Sequence, residues 1–223
     1  MAHRDRADDR RVLVIGLGRF GSSLALELVS QGWEVLGIDS SPRLVQTYAD
    51  VLTHTAIADA TDQEALRQVG AAQFARAVVA IGTHLEESVL TTSLLVDMGV
   101  ATIWAKATSR RHGRILEQVG AHHVVLPEHD MGERVAHLLS GRILDYVELE
   151  AGFALGKTRV PETMVGRTLR ETRVRQRYGV TVVSVKRVGT SFTYATQETV
   201  LRRGDIIVVV GRTDDVERFA ESG

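Results

Sequence analysis

Three glycines in Val14-Ile15-Gly16-Leu17-Gly18-Arg19-Phe20-Gly21 are the residues of this 223-residue chain best suited to hold a phosphate. In a strand–turn–helix setting each has a separate task. Gly16 permits the tight turn, Gly18 lets a phosphate approach the backbone, and Gly21 lets the helix pack closely on the strand. The unpaired N–H groups of the helix start, with their partial positive charge, then face the anion. Asp39 ends the next apolar run about 20 residues on, where a carboxylate can accept hydrogen bonds from a ribose. A glycine turn with a capping aspartate and no ligand is the plainer alternative. A strand before, a helix after and the acid in place favour the ligand, an adenine nucleotide.

Two cations sit near this loop in the pattern. Arg19 lies inside it, where a guanidinium can reach a distal phosphate, or one in a neighbouring subunit; a solvent-exposed arginine on the first turn fits the sequence as well. Lys106 follows the apolar strand Ile103-Trp104-Ala105. A phosphate contact explains it more economically than a lysine that snorkels to solvent. Glu128, after Pro127, reads by itself as an acid complementing a helix N-terminus.

Other constellations are weaker. His129, Glu133 and His137 recur every four residues on one helix. The outer pair is then about 12 Å apart, too far to share one ion at bonds of about 2 Å, so a solvated helix face is expected. His122-His123 reads as a strand edge. Hydride transfer requires a substrate pocket and a proton-moving group beside the nicotinamide. The chain has no large second domain to close over a substrate, no Tyr-x-x-x-Lys, and only scattered histidines. A small NAD-dependent oxidoreductase is therefore the weaker reading.

The elements that must position these residues alternate regularly. Strands are expected at Val12–Ile15, Trp33–Ile38, Val51–Ile57, Arg76–Ile81, Ala101–Ala105 and His123–Leu126. Between them lie helices: one with Phe20, Leu24 and Leu28 on one face, one opened by Ser41-Pro42, and two opened by the capping boxes Thr61-x-x-Glu64 and Thr83-x-x-Glu86. Another runs from Ser109 to Val119. Such βα repetition implies a parallel, Rossmann-like sheet covered on both faces, with ligands beyond the carboxyl ends of its strands. Gly16–Gly21, Asp39, Asp59–Thr61, Gly82–Thr83 and Lys106 should converge there. From Met131 the pattern changes: Met131, Val135, Leu138, Leu139 and Ile143 form an apolar helical stripe without a strand to cover, which favours burial against a partner subunit. Beyond Gly152 short strands dominate (Phe153–Val160, Val180–Val188, Ser191–Ala195, Ile206–Val210), with a basic helix at Thr168–Tyr178 and a last helix capped by Thr213. The expected organisation is a tail over 1–10, a nucleotide-binding domain over 11–130, a crossover helix and linker over 131–151, and a small α+β domain over 152–223.

Composition agrees with a globular protein: 44% hydrophobic and 25% charged residues. A net charge of −1 provides no broad field for nucleic acid or anionic lipid. The absence of cysteine removes disulfide and thiolate chemistry. No apolar run reaches the ~18 residues of a membrane span.

Val14-Ile-Gly-Leu-Gly-Arg-Phe-Gly21, Asp39-Ser-Ser41, Ala58-Asp-Ala-Thr61, Ala80-Ile-Gly82, Ile103-Trp-Ala-Lys106 and Pro127-Glu-His-Asp-Met-Gly132 together resemble the TrkA/KtrA-type potassium-uptake regulatory subunits, with an N-terminal and a C-terminal RCK lobe. The resemblance implies a non-enzymatic cytoplasmic gating subunit, peripheral on the inner face of the cell membrane. It implies homodimers that assemble into an octameric ring on a Trk/Ktr-type potassium-translocating membrane subunit, with ATP and ADP competing for the crevice. By position it implies that Gly16, Gly18 and Gly21 hold the phosphates, Asp39 the ribose, and Asp59, Ala60 and Thr61 the adenine border. Phe20, Ser41, Ile81, Gly82 and Thr83 line the same crevice, and Lys106 lies by the phosphates. Arg19 would reach the γ-phosphate across the dimer interface, and Glu128 would help hold a divalent cation, Mg²⁺ or Ca²⁺. In some members NAD or NADH is the signal, which Asp39 permits. Others bind a cyclic dinucleotide between paired C-terminal lobes. The stretch Glu171–Arg177 is more basic here and lacks the expected asparagine, which weakens the case for that second ligand; Arg173 and Arg175 could meet its phosphates.

Overall fold

A computed structural model describes residues 10–82, 84–139 and 142–222. The chain divides into two compact units, Met1–His129 and Asp130–Gly223. The expected tail lies outside the described residues except for Arg10, whose carbonyl accepts from Glu34 N at 2.9 Å and so already continues the first strand.

The first unit alternates β1 (Arg11–Ile15), α1 (Arg19–Ser30), β2 (Glu34–Asp39), α2 (Pro42–Tyr48), β3 (His54–Ile57), α3 (Gln63–Gln68), β4 (Arg76–Val79), α4 (Leu85–Asp97), β5 (Thr102–Lys106), α5 (Arg110–Val119) and β6 (His123–Val125). The six strands are parallel in the order β3-β2-β1-β4-β5-β6. Strand side chains alternate between faces, and β1 shows the consequence. Leu13 and Ile15 pack with Ala77, Val79, Leu95, Ile103 and Leu116 on one side. Val12 and Val14 pack with Ala25 of α1 and Val45 of α2 on the other. Burying one such side chain fully contributes roughly 1.5–3 kcal/mol. Because β1 has β2 on one flank and β4 on the other, the helices leave it on opposite faces, and a crevice opens beyond its carboxyl end.

Two expected caps differ. The N-cap of α3 is Asp62, whose carboxylate accepts from Glu64 N at 2.8 Å. Thr61 does not serve, because its hydroxyl is committed to Asp59. The N-cap of α4 is His84, and the box expected at Thr83 lies outside the described residues.

Helix α6 (Pro127–Leu139) leads into the second unit. There β7 (Ile143–Glu150), β8 (Phe153–Arg159), α7 (Leu169–Thr172), α8 (Val174–Tyr178), β9 (Thr181–Lys186), β10 (Phe192–Tyr194), β11 (Ile206–Arg212) and α9 (Thr213–Glu221) follow. The antiparallel sheet has the order β10-β9-β11-β8-β7, packed on Met164, Val180, Leu201, Ile207, Val216 and Phe219.

Four expectations are corrected here. The stretch 131–151 is not helix and linker throughout: Ile143–Glu150 is an edge strand paired with β8. Val147-Glu148-Leu149-Glu150 alternates at period two, and that pattern prevails over the helical spacing that Ile143 also satisfies. The helix expected at Thr168–Tyr178 is broken at Arg173, which adopts a left-handed φ of +49°. Strand β11 alternates between buried and half-buried residues instead of being buried throughout. Thr213 is the first residue of α9, whose N-cap is Arg212. On α6 itself Met131, Val135 and Leu139 are exposed in the single chain, whereas Leu138 packs on the cluster of Ile143, Tyr146, Ala154 and Ala220.

Candidate functional site

The glycine loop is fastened at both sides of β1. Gly16 N donates to Ile38 O at 2.8 Å, and Ala80 N donates to Ile15 O at 2.7 Å. Gly16 then turns at φ +93°, in the left-handed region that favours glycine. A Cβ on Gly21 would overlap the Gly16 carbonyl oxygen, so this glycine is required by the close seating of α1. Gly18 differs: a Cβ there would meet nothing within 4 Å. The protein's own packing does not require that glycine, and the space beside it is open for a ligand. Gly18 is also the N-cap of α1, with no side-chain cap bond and no acidic residue in the first turn. The helix start therefore keeps its positive end toward that space.

Asp39, the last residue of β2, receives two backbone donors. Leu17 N reaches its Oδ2 at 2.7 Å and Ser41 N its Oδ1 at 2.8 Å. The carboxylate thus ties the glycine loop to the start of α2, and each oxygen retains a lone pair for a ribose hydroxyl. After β3, Asp59 Oδ1 accepts from Thr61 N at 2.9 Å and from its hydroxyl at 2.7 Å. These bonds hold Asp59 below the usual carboxylate range, the side-chain bond contributing most. Ala60 between them is buried, its carbonyl accepting from the Thr91 hydroxyl at 3.1 Å. Thr91 was not anticipated as part of this site; polar residues within an otherwise buried helix stripe (Ser88, Thr91, Thr92) were its signal in the sequence.

Lys106 ends β5 and is 9% exposed. Its ammonium lies 2.6 Å from Glu128 Oε1 and 5.7 Å from the centre of the Phe20 ring. It also closes on Gly82, where a Cβ would stand 3.1 Å from Nζ. Ile81 packs on the core beneath, and Arg19 is exposed. Glu128 is held below the usual carboxylate range, first by the hydrogen bond from Lys106 and to a smaller degree by the charge of Arg19. Thr83 lies outside the described residues.

Among the described residues no group of three or more His, Cys, Asp or Glu could hold a metal ion. The cation at Glu128 is a lysine side chain. Nor do the histidines at zinc-like spacing converge: His129 meets Arg110 at 3.0 Å, and His137 meets Glu217 at 2.8 Å. The second unit carries an open groove of about 800 Å³, bordered by Leu169, Arg173, Val174, Arg175, Thr181 and Gln197.

Residues 12–127 match the TrkA-N domain and residues 159–222 the TrkA-C domain. The chain belongs to the TrkA/KtrA-type potassium-uptake regulatory subunits.

Among relatives of this regulator are the Ktr system potassium uptake protein C of Bacillus subtilis, 37% identical over 92% of this chain and 94% of that one. The Ktr system potassium uptake protein A of the same organism is 34% identical over 98% and 99%. In three dimensions the chain is similar to the GsuK RCK domain (TM-score 0.64, 19% identity), covering 92% of this chain and 46% of that one. It is likewise similar to the GsuK channel bound to NAD (TM-score 0.65, 18% identity), covering 94% of this chain and 39% of that one. These likenesses establish the RCK fold. Among the described residues, no helix is long and apolar enough to cross a membrane.

Proposed function

We propose that this regulatory subunit binds ATP and ADP in the crevice beyond β1, β2 and β4 and transmits the difference to a potassium-translocating membrane subunit. The observation that carries the reading is the open space beside Gly18, bounded by a bare helix start and the Asp39 carboxylate. Lys106 is the nearby cation for the phosphates. The side chains gathered there hold and orient anions and hydroxyls, which suits a sensor better than a catalyst. The potassium-uptake role of the Ktr relatives supports the partner and, with it, a position on the cytoplasmic face of the membrane. The exposed residues Met131, Val135 and Leu139 support burial of α6 in a homodimer, from which an octameric ring is built.

In this reading the ring interconverts between two conformations, and a nucleotide shifts them only by its difference in affinity for each. The extra phosphate of ATP supplies that difference through Arg19, reaching across the dimer. A divalent cation at Glu128 would contribute in the same sense once Lys106 has turned to phosphate. A second ligand reading, NAD or NADH, is supported by Asp39, since a carboxylate in this position serves either ribose and disfavours a 2′-phosphate.

Calorimetric titration with ATP, ADP, NAD and NADH, each with and without Mg²⁺ or Ca²⁺, tests these readings. Tight binding of ATP and ADP, with ATP alone strengthened by the ion, is expected. Tight NADH binding with weak ATP binding overturns the ligand assignment. Arg19→Ala is expected to weaken ATP far more than ADP, and equal losses would remove Arg19 from the γ-phosphate.

A further inference from the structure

We propose that Glu128 is a built-in rival of the nucleotide: its carboxylate and a phosphate compete for the Lys106 ammonium, and a phosphate that wins releases the first turn of α6. The proposal rests on the nucleotide reading above and specifies how binding at that crevice reaches the rest of the chain.

The two partners are unequally placed. The Lys106 side chain is 11% exposed and that of Glu128 65%. Lys106 is confined on its inner sides by Gly82 and the Phe20 ring, both belonging to the elements that border the phosphate space. Its ammonium therefore stays near the crevice whichever anion it serves. Glu128 can return to water at little cost, because most of its side chain is already exposed. A phosphate with two negative charges and several acceptor oxygens makes stronger charge-assisted bonds to the ammonium than one carboxylate does.

The covalent position of Glu128 gives the exchange a consequence. It is the second residue of α6, the helix that carries the chain from the first unit to the second. While Lys106 holds Glu128, the start of α6 is tied to the end of β5, 22 residues earlier in the chain. When phosphate takes Lys106, that tie is lost.

This role predicts the opposite of a cation role. If Glu128 served only to bind a metal beside the nucleotide, its neutralisation would weaken nucleotide binding in the presence of the metal and do nothing in its absence. As a rival, it lowers apparent affinity by the fraction of time it occupies Lys106.

The experiment is calorimetric titration of the full chain with ADP in EDTA, comparing wild type, Glu128→Gln, Lys106→Met and the double variant. Glu128→Gln is expected to bind ADP about threefold to fivefold tighter, the scale of an ion pair with one exposed member. Lys106→Met is expected to bind more weakly, and in its background Glu128→Gln should bring no gain, since the rivalry needs the lysine. Amide exchange at residues 131–134, whose N–H groups bond the carbonyls of the first turn of α6, should rise with ADP in wild type and be high from the outset in Glu128→Gln. Unchanged or weaker ADP binding by Glu128→Gln in EDTA overturns the rivalry while leaving the nucleotide site intact. Absence of ADP binding by wild type would instead bring down the nucleotide reading, and this proposal with it.

Discussion

The backbone N–H of Leu17 and the Oδ2 of Asp39 are joined at 2.7 Å across 22 residues of sequence, while the other carboxylate oxygen holds Ser41 N at 2.8 Å. The acid proposed to meet a ribose is thereby also the clasp of the glycine loop. Its two tasks cannot be separated by a neutral isostere. In Asp39→Asn one of the two N–H groups must face an NH₂ group that cannot accept, at a cost of about 1–3 kcal/mol for an unsatisfied donor. The variant should lose that much stability in urea and about tenfold or more in ADP affinity. Full stability with ADP affinity alone impaired would show that the clasp contributes nothing.

The glycines of the loop should respond differently to the same added methyl group. Gly18→Ala enters open space at a φ of −65° and should leave stability within a few tenths of a kcal/mol of wild type. Its effect should fall on nucleotide affinity, because the methyl occupies the space assigned to phosphate. Gly21→Ala overlaps backbone and should cost about 1–3 kcal/mol or more. Thermal unfolding with and without ADP separates the two. A Gly18→Ala protein that binds ADP as well as wild type would move the phosphates elsewhere.

His112 on α5 is 1% exposed, its Nδ1 accepting from Thr108 N at 3.3 Å. Burial lowers its pKa from the ordinary 6.5. The unfolded chain therefore takes up a proton before the folded chain does as pH falls. Stability is full above 6.5 and should decline below it until the folded imidazole also protonates, at no more than about 1.4 kcal/mol per pH unit for one proton. His112→Asn can keep the bond from Thr108 without titrating. Urea denaturation at pH 7.5 and 5.5 should give a smaller difference for the variant, and equal differences would assign the acid sensitivity to other groups.

Arg173 stands between α7 and α8 at φ +49°, on the rim of the second unit's groove. Glycine adopts that conformation without the roughly 1–2 kcal/mol that a side chain adds. Arg173→Gly should therefore fold at least as stably as wild type while removing one cation. If the groove takes a cyclic dinucleotide, calorimetry should show the variant binding it several-fold more weakly. Undiminished binding would take Arg173 out of such a site.

Much of the crevice could be read from the chain because it is built of local signals. The strand–glycine–helix run, the acid at the end of β2 and Ser41-Pro42 before α2 each depend on neighbours within a few residues. The second unit was read less well. Ile143 satisfied the helical spacing of the stripe beginning at Met131, yet pairing with Thr158 on β8 draws it into a sheet. The break at Arg173 carries no glycine or proline to announce it.

By itself the sequence determined the βα alternation, the glycine loop and the membership that its ordered motifs express, since periodicity and turn chemistry act over one element at a time. Only the tertiary structure decided what each polar group holds: Asp39 the Leu17 amide, Thr91 the Ala60 carbonyl, Lys106 the Glu128 carboxylate. Those partners lie 22 to 31 residues apart, and they meet because parallel strands bring successive carboxyl ends to one edge. No local pattern states which of the groups gathered there will pair.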